Sequence, residues 1–138
     1  MNKQKKFKYS ILIAGNHDTT LDKEWYHNIG PKGYQRFHQG IKQDVDKCND
    51  IIRNNENIIY LENKEVELFG LKFYGSPYQP EFYQWAFNVP RGKSLQDIWN
   101  KIPNDVDILI THGPPKYQGD KTSNGRYVGC DDLLERVM

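Results

Sequence analysis

Two short apolar runs in this chain end in the same way, and that shared ending constrains its fold more than any other feature. Ile11-Leu12-Ile13-Ala14 runs into Gly15-Asn16-His17-Asp18, and Ile108-Leu109-Ile110-Thr111 runs into His112-Gly113-Pro114-Pro115. A short apolar run bounded by turn residues reads as a buried strand. Ligands in sheets of this kind are handled at the carboxyl ends of strands. Each run therefore delivers an imidazole to a strand exit, the first adds an amide oxygen, and the two exits are expected to share one crevice.

The rest of the chain alternates helix and strand signals. After a strand over about 9–14, Thr20 or Asp22 can cap a helix through Glu24, Trp25 and Ile29, which Gly30-Pro31 should stop. Asp44 can cap a second helix carrying Val45, Cys48, Ile51 and Ile52, broken at Asn54-Asn55, with a short strand over Ile58 to Leu61 behind it. Glu65 to Phe69 and Leu71 to Gly75 alternate about Gly70 as an antiparallel hairpin, so the sheet becomes mixed. Ser76 to Pro90, rich in Pro, Tyr, Phe and Trp without a clean period, reads as a long ordered loop. Ser94 is the expected cap of a helix through Leu95, Ile98 and Trp99. Beyond the strand at 107–111 come a polar loop from Pro114 to Gly129 and an apolar-faced helix from Asp131 to Met138.

The 138 residues fit one domain, and a 37% hydrophobic content supports a modest core. Nineteen Lys and Arg against 18 Asp and Glu leave a net charge of +1, with no broad attraction to nucleic acid or anionic lipid. The Lys3-Gln4-Lys5-Lys6-Lys8 cluster is local and reads as a solvated approach to the first strand. No segment approaches a membrane span, and no signal-peptide core precedes the first strand, so a cytoplasmic protein is expected. Cys48 and Cys130, both in predicted helices and far apart, signal neither a disulfide framework nor a thiolate metal site.

Chemistry concentrates at the two strand exits. A catalytic metal takes about three protein ligands plus an open position. Asn16 can give its side-chain oxygen and His112 a neutral imidazole nitrogen, while His17 can donate to a phosphate oxygen or protonate a leaving group. By residue type alone an Asn-His pair in a tight turn is more often just a turn, and a His before Gly-Pro-Pro is more often a rigid loop residue. Position at the ends of two apolar strands favours the ligand reading. Tyr74, Tyr78, Phe82, Tyr83, Trp85 and Phe87 fit core packing better than a stacking wall for a base, with Arg91 as a candidate phosphate contact. The loop from Tyr117 to Arg126 either borders a substrate or is plain surface.

With these residues in view, the chain resembles the calcineurin-like metallophosphoesterases, whose motifs run D-x-H, G-D-x-x-D, G-N-H-D/E, a lone His and G-H-x-H. Gly15-Asn16-His17-Asp18 and His112 match the third and fourth. The strings Tyr74-Gly75-Ser76-Pro77, Trp85-Ala86-Phe87-Asn88-Val89-Pro90-Arg91-Gly92 and Thr111-His112-Gly113-Pro114-Pro115 are similar to the metallophosphoesterase-domain-containing subgroup, also called brain protein 239. Similarity runs from about Lys8 to the last residue. The resemblance implies an α/β fold of two mixed sheets packed as a sandwich and flanked by helices. It also implies that Asn16 and His112 bind the second metal and that His17 contacts the phosphate and assists the leaving group. The cofactors implied are divalent ions (manganese, iron or zinc), and the substrate a phosphate-ester small molecule or nucleotide.

No D-x-H or G-D-x-x-D precedes Asn16 and no G-H-x-H follows His112. Asp18 is expected to be a turn or capping group, and Asp120, Asp131 and Asp132 match no metal position. The expectation is a single partial metallophosphoesterase domain over 1–138, incomplete at both ends, with an exposed sheet edge and little hydrolytic activity by itself. The rival expectation is a non-enzymatic remnant that binds a protein partner across that edge. A nucleic-acid binder is disfavoured by the charge balance.

Overall fold

The computed structural model describes residues 7–138. Of the basic cluster, Lys3, Lys5 and Lys6 lie outside the described residues, while Lys8 Nζ sits over the rings of Tyr9 and Phe69 at 5.3 and 5.6 Å. Seven strands and four helices are present among the described residues. They are β1 (Ser10–Leu12), α1 (Lys23–His38), α2 (Val45–Arg53), β2 (Ile58–Tyr60), β3 (Lys64–Leu68), β4 (Leu71–Ser76), β5 (Gln79–Pro80), β6 (Asn88–Val89), α3 (Lys93–Trp99), β7 (Ile108–Thr111) and α4 (Asp131–Val137).

The α/β class and the mixed sheet hold. β1 pairs β2 in parallel, and β4 lies between an antiparallel β3 and a parallel β7. β1 has β2 as its one neighbour among the described strands, leaving its other edge without a partner strand. The β3–β4 hairpin closes through Phe69 and Gly70, both at positive φ (57° and 77°), as a two-residue turn that matches the strands' twist requires. Gly75 shows where the two sheets meet: a Cβ added there would lie 2.4 Å from Leu61 Cβ and 2.7 Å from Ile13 Cγ2. This contact of β4 with the segments ending β1 and β2 aligns the two sheets. The carboxyl ends of β1 and β7 consequently fall side by side.

Two buried clusters hold the layers. Tyr74, Leu95, Trp99, Ile102, Cys130 and Leu133 join α3 and α4 to the β4–β7 sheet. Ala14, Leu21, Ala86 and Phe87, with Trp25, Ile52, Tyr60 and Tyr78 around them, pack behind the β1 exit. Truncating a fully buried aromatic such as Trp99 would cost about 3–5 kcal/mol.

Local signals hold where the partner is close in sequence. Asp22 and Asp44 cap α1 and α2 as expected, accepting from Trp25 N and Lys47 N at 3.0 Å each. Elsewhere the structure corrects the local reading. Gly30 breaks α1 at φ 60° and ψ −168°, but the helix resumes at Pro31 and runs to His38, because a proline suits a helix's first turn. On α2 it is Asn49, not Ile51, that is buried. Asn49 is stabilised by donating to Thr20 O and Val45 O at 2.9 Å each, whereas Ile51 is 59% exposed.

Ser94 does not cap α3. Gly92 occupies that position, and its N–H is met across the fold by Asp132 Oδ2 at 3.1 Å. Cys130 precedes α4 as its cap, with Sγ accepting from Leu133 N and from Trp99 Nε1. Both cysteines are free thiols, Cys48 half-buried and Cys130 buried. The aromatic segment after Ser76 is an ordered loop pinned by the two-residue strands β5 and β6 in parallel.

Candidate functional site

The two strand exits converge. Asn16 Oδ1 lies 2.7 Å from His112 Nε2, although 96 residues separate them in sequence. Gly15 makes that approach possible: it is buried, and a Cβ on it would stand 2.5 Å from Cε1 and Nδ1 of His112. His112 thus lays its ring on the bare backbone at the end of the β1 run and reaches the next residue's amide. His112 N also donates to Ser76 O at 3.3 Å, continuing the β4–β7 ladder into the site.

Asp18 closes the turn. Its Oδ2 accepts from Gly15 N at 2.8 Å and its own N–H donates to Gly15 O at 2.9 Å, which is the turn role expected of it. His17 points elsewhere: its exposed ring stacks on Trp85, with centroids 4.3 Å apart and planes at 21°. The burial of one face of His112 disfavours its charged form and pulls its pKa below the usual histidine value. The Asp18 carboxylate opposes that shift and His17 adds to it. A neutral imidazole is the form that accepts, or that binds a metal.

The donor set suits a divalent cation in chemistry but not in number. One amide oxygen and one imidazole nitrogen converge on a point, and separating them slightly would admit an ion. Among the described residues no group of three or more His, Cys, Asp or Glu could hold a metal. Asp120, Asp131 and Asp132, three of the four acidic residues beyond His112, bond to other groups. Asp131 pairs with Lys116 at 2.6 Å, Asp132 accepts from Gly92 N and Gln96 Nε2, and Asp120 accepts from Gly129 N at 2.8 Å.

A cleft of about 520 Å³ opens beside Asn16, bordered by Phe82, Arg91, Gly113, Arg126 and Tyr127. The loop that ends at Arg126 thus borders the site. Arg91 is tied down, donating to Gly129 O and Val128 O at 2.9 Å each and facing Asp131 at 3.6 Å, so it is a brace of the cleft wall. The six aromatics do not form a single wall. Tyr74 and Phe87 are core, Phe82 and Tyr83 pack on each other at the surface, and Trp85 backs His17. The sequence carries no sign of the Trp85 contact, because nothing in a linear pattern pairs positions 17 and 85.

Comparison with known proteins shows the family to which the chain is similar. The calcineurin-like phosphoesterase family model matches residues 1–137. Metallophosphoesterase domain-containing protein 1 of Homo sapiens is 42% identical over 133 residues, covering 96% of this chain and 41% of the relative. UPF0046 protein T07D4.2 of Caenorhabditis elegans is 39% identical over 143 residues, covering 96% of this chain and 35% of the relative. The chain therefore spans roughly two-fifths or less of the length of these relatives.

Proposed function

From the premise that this chain belongs to the calcineurin-like phosphoesterase family, we propose that it carries the second-metal half of a phosphoesterase centre. The reaction proposed for the complete centre is hydrolysis of a phosphodiester or phosphomonoester bond. The observation that carries this reading is the meeting of Asn16 Oδ1 and His112 Nε2 at 2.7 Å. In the reading, these two atoms hold a divalent metal, of which manganese, iron and zinc are the candidates by resemblance. Such metals supply Lewis-acid stabilisation of charge on phosphoryl oxygens.

The chain's own residues do the rest. Asn16, fixed in a turn closed by Asp18, presents a neutral oxygen. His112, whose burial lowers its pKa and favours the neutral imidazole, would offer a nitrogen lone pair to the metal in place of its contact with Asn16 Oδ1. His17 donates a hydrogen bond to a phosphoryl oxygen and gives a proton to the departing oxygen. The cleft beside Asn16 receives the remainder of the ester.

Two protein ligands fall short of the three that a catalytic metal takes, so the 138 residues alone should hydrolyse little. Purified chain with added manganese is expected to leave an aryl phosphodiester intact while binding the ion weakly. Binding should be lost in both Asn16→Ala and His112→Ala. Turnover abolished by His112→Ala would overturn the incompleteness, and metal binding untouched by both variants would overturn the site.

A further inference from the structure

The imidazole of His17 is held by contacts that its own turn does not supply. Among the described residues its ring takes part in no hydrogen bond, and it is exposed. An imidazole so placed would rotate freely about its two side-chain torsions. Instead it stacks on Trp85 at 4.3 Å. Trp85 receives Phe37 edge-on at 4.6 Å, and Phe37 meets Trp25 edge-on at 5.2 Å. The Arg36 guanidinium lies over Phe37 and Trp85 at 5.1 and 5.8 Å.

The segment carrying Trp85 is anchored on both sides. Trp25 Nε1 donates to Gln84 O at 3.0 Å, and Phe87 N donates to Asp22 Oδ2 at 2.8 Å. The second half of α1 reaches the same turn twice. Phe37 backs Trp85, and the adjacent His38 bonds through Nε2 to Thr19 Oγ1 at 3.0 Å, two residues beyond His17. That reach depends on Gly30, whose positive φ breaks the helix so that Phe37 contacts both Trp25 and Trp85.

We infer that Trp85, backed by Phe37, is a positioning residue that sets the plane of the His17 ring in the turn that also carries Asn16. This rests on the reading of His17 as the phosphate-contacting group. A side chain locked by packing meets a phosphoryl group in one orientation and spends no rotational freedom at the moment of reaction. The break in α1 at Gly30 is, in this light, what allows one helix to brace the site from two directions.

NMR of the chain at fixed pH tests the inference. The carbon-bound ring protons of His17 should stand upfield of those of the exposed His27, shielded by the indole beneath them. Trp85→Leu should abolish the shielding, Trp85→Phe should keep part of it, and Phe37→Leu should weaken it, with the amide signals of β4 and β7 unmoved. Inorganic phosphate should shift the His17 signals in the wild type and in Trp85→Phe, but not in Trp85→Leu. An unshielded His17 in the wild type, or shielding and phosphate response unchanged in Trp85→Leu, would overturn the inference. If Trp85→Leu loses the β4 and β7 signals, Phe37→Leu decides by the same criterion. Shielding that depends on Trp85, joined to no phosphate response even in the wild type, would retire the phosphate role of His17 and uphold the positioning of its ring.

Discussion

Gly15→Ala and Gly75→Ala make a matched pair whose outcomes should differ because of what stands next to each added methyl. Both glycines are buried and neither has a positive φ, so no backbone strain enters. At Gly15 the methyl would meet the His112 ring at 2.5 Å, and that ring ends a side chain free to swing outward. The loss is then one hydrogen bond of about 0.5–1.5 kcal/mol, offset by the roughly 0.4–1 kcal/mol that alanine contributes by restricting the unfolded chain. The net change should stay within about 1 kcal/mol. At Gly75 the methyl would meet Leu61 Cβ at 2.4 Å and Ile13 Cγ2 at 2.7 Å. A Cβ cannot retreat without its backbone, so the strain should reach the upper end of the roughly 1–3 kcal/mol range for overpacking.

A gap of about 2 kcal/mol corresponds to roughly 8 °C in Tm for a chain of this size. Calorimetry measures the gap, and the His112 ring resonance reports whether the site survives. Gly15→Ala should keep its stability and lose both the Asn16 contact and metal binding, whereas Gly75→Ala should lose stability. Equal destabilisation of the two variants, or an intact Asn16 contact in Gly15→Ala, would refute the assignment of Gly15 as the seat of the His112 ring.

Two further outcomes follow from named contacts. Burial holds the pKa of His112 below the ordinary 6.5, so the unfolded chain binds that proton more readily. The stability due to neutral His112 is therefore fully present above 6.5 and is lost as pH falls from there toward the lowered folded value; His112→Gln should flatten that part of a Tm against pH profile. Asp22→Ala removes both the α1 cap at Trp25 N and the acceptor for Phe87 N. It should cost roughly 2–3 kcal/mol in urea denaturation, and a cost below about half a kcal/mol would show that water replaces the carboxylate at both amides.

Elements whose determinants lie within a few residues are legible in the sequence. Asp22 and Asp44 announce α1 and α2 because a carboxylate three residues before an amide caps it. The β3–β4 hairpin follows from alternation about a glycine, and the β1 and β7 runs from their apolar composition. Asn16, His17 and His112 stand out because each sits at the end of such a run. Ser94 and Ile51 mislead, since α3 starts two residues earlier from Gly92, whose N–H is met by the sequence-distant Asp132, and Asn49 finds two carbonyls that make its burial favourable.

The local elements and the chemical types at their ends are thus written in the order of the residues. Which of those ends meet is a matter of long-range packing. Asn16 and His112 touch because two sheets approach closely at Gly75 and because Gly15 has no side chain to hold the imidazole away. His17 faces Trp85 because α1, broken at Gly30, returns Phe37 to the back of that indole. Contacts of this range are set by the packing of whole layers, whose energy belongs to no short stretch of residues and leaves no period in the sequence to read.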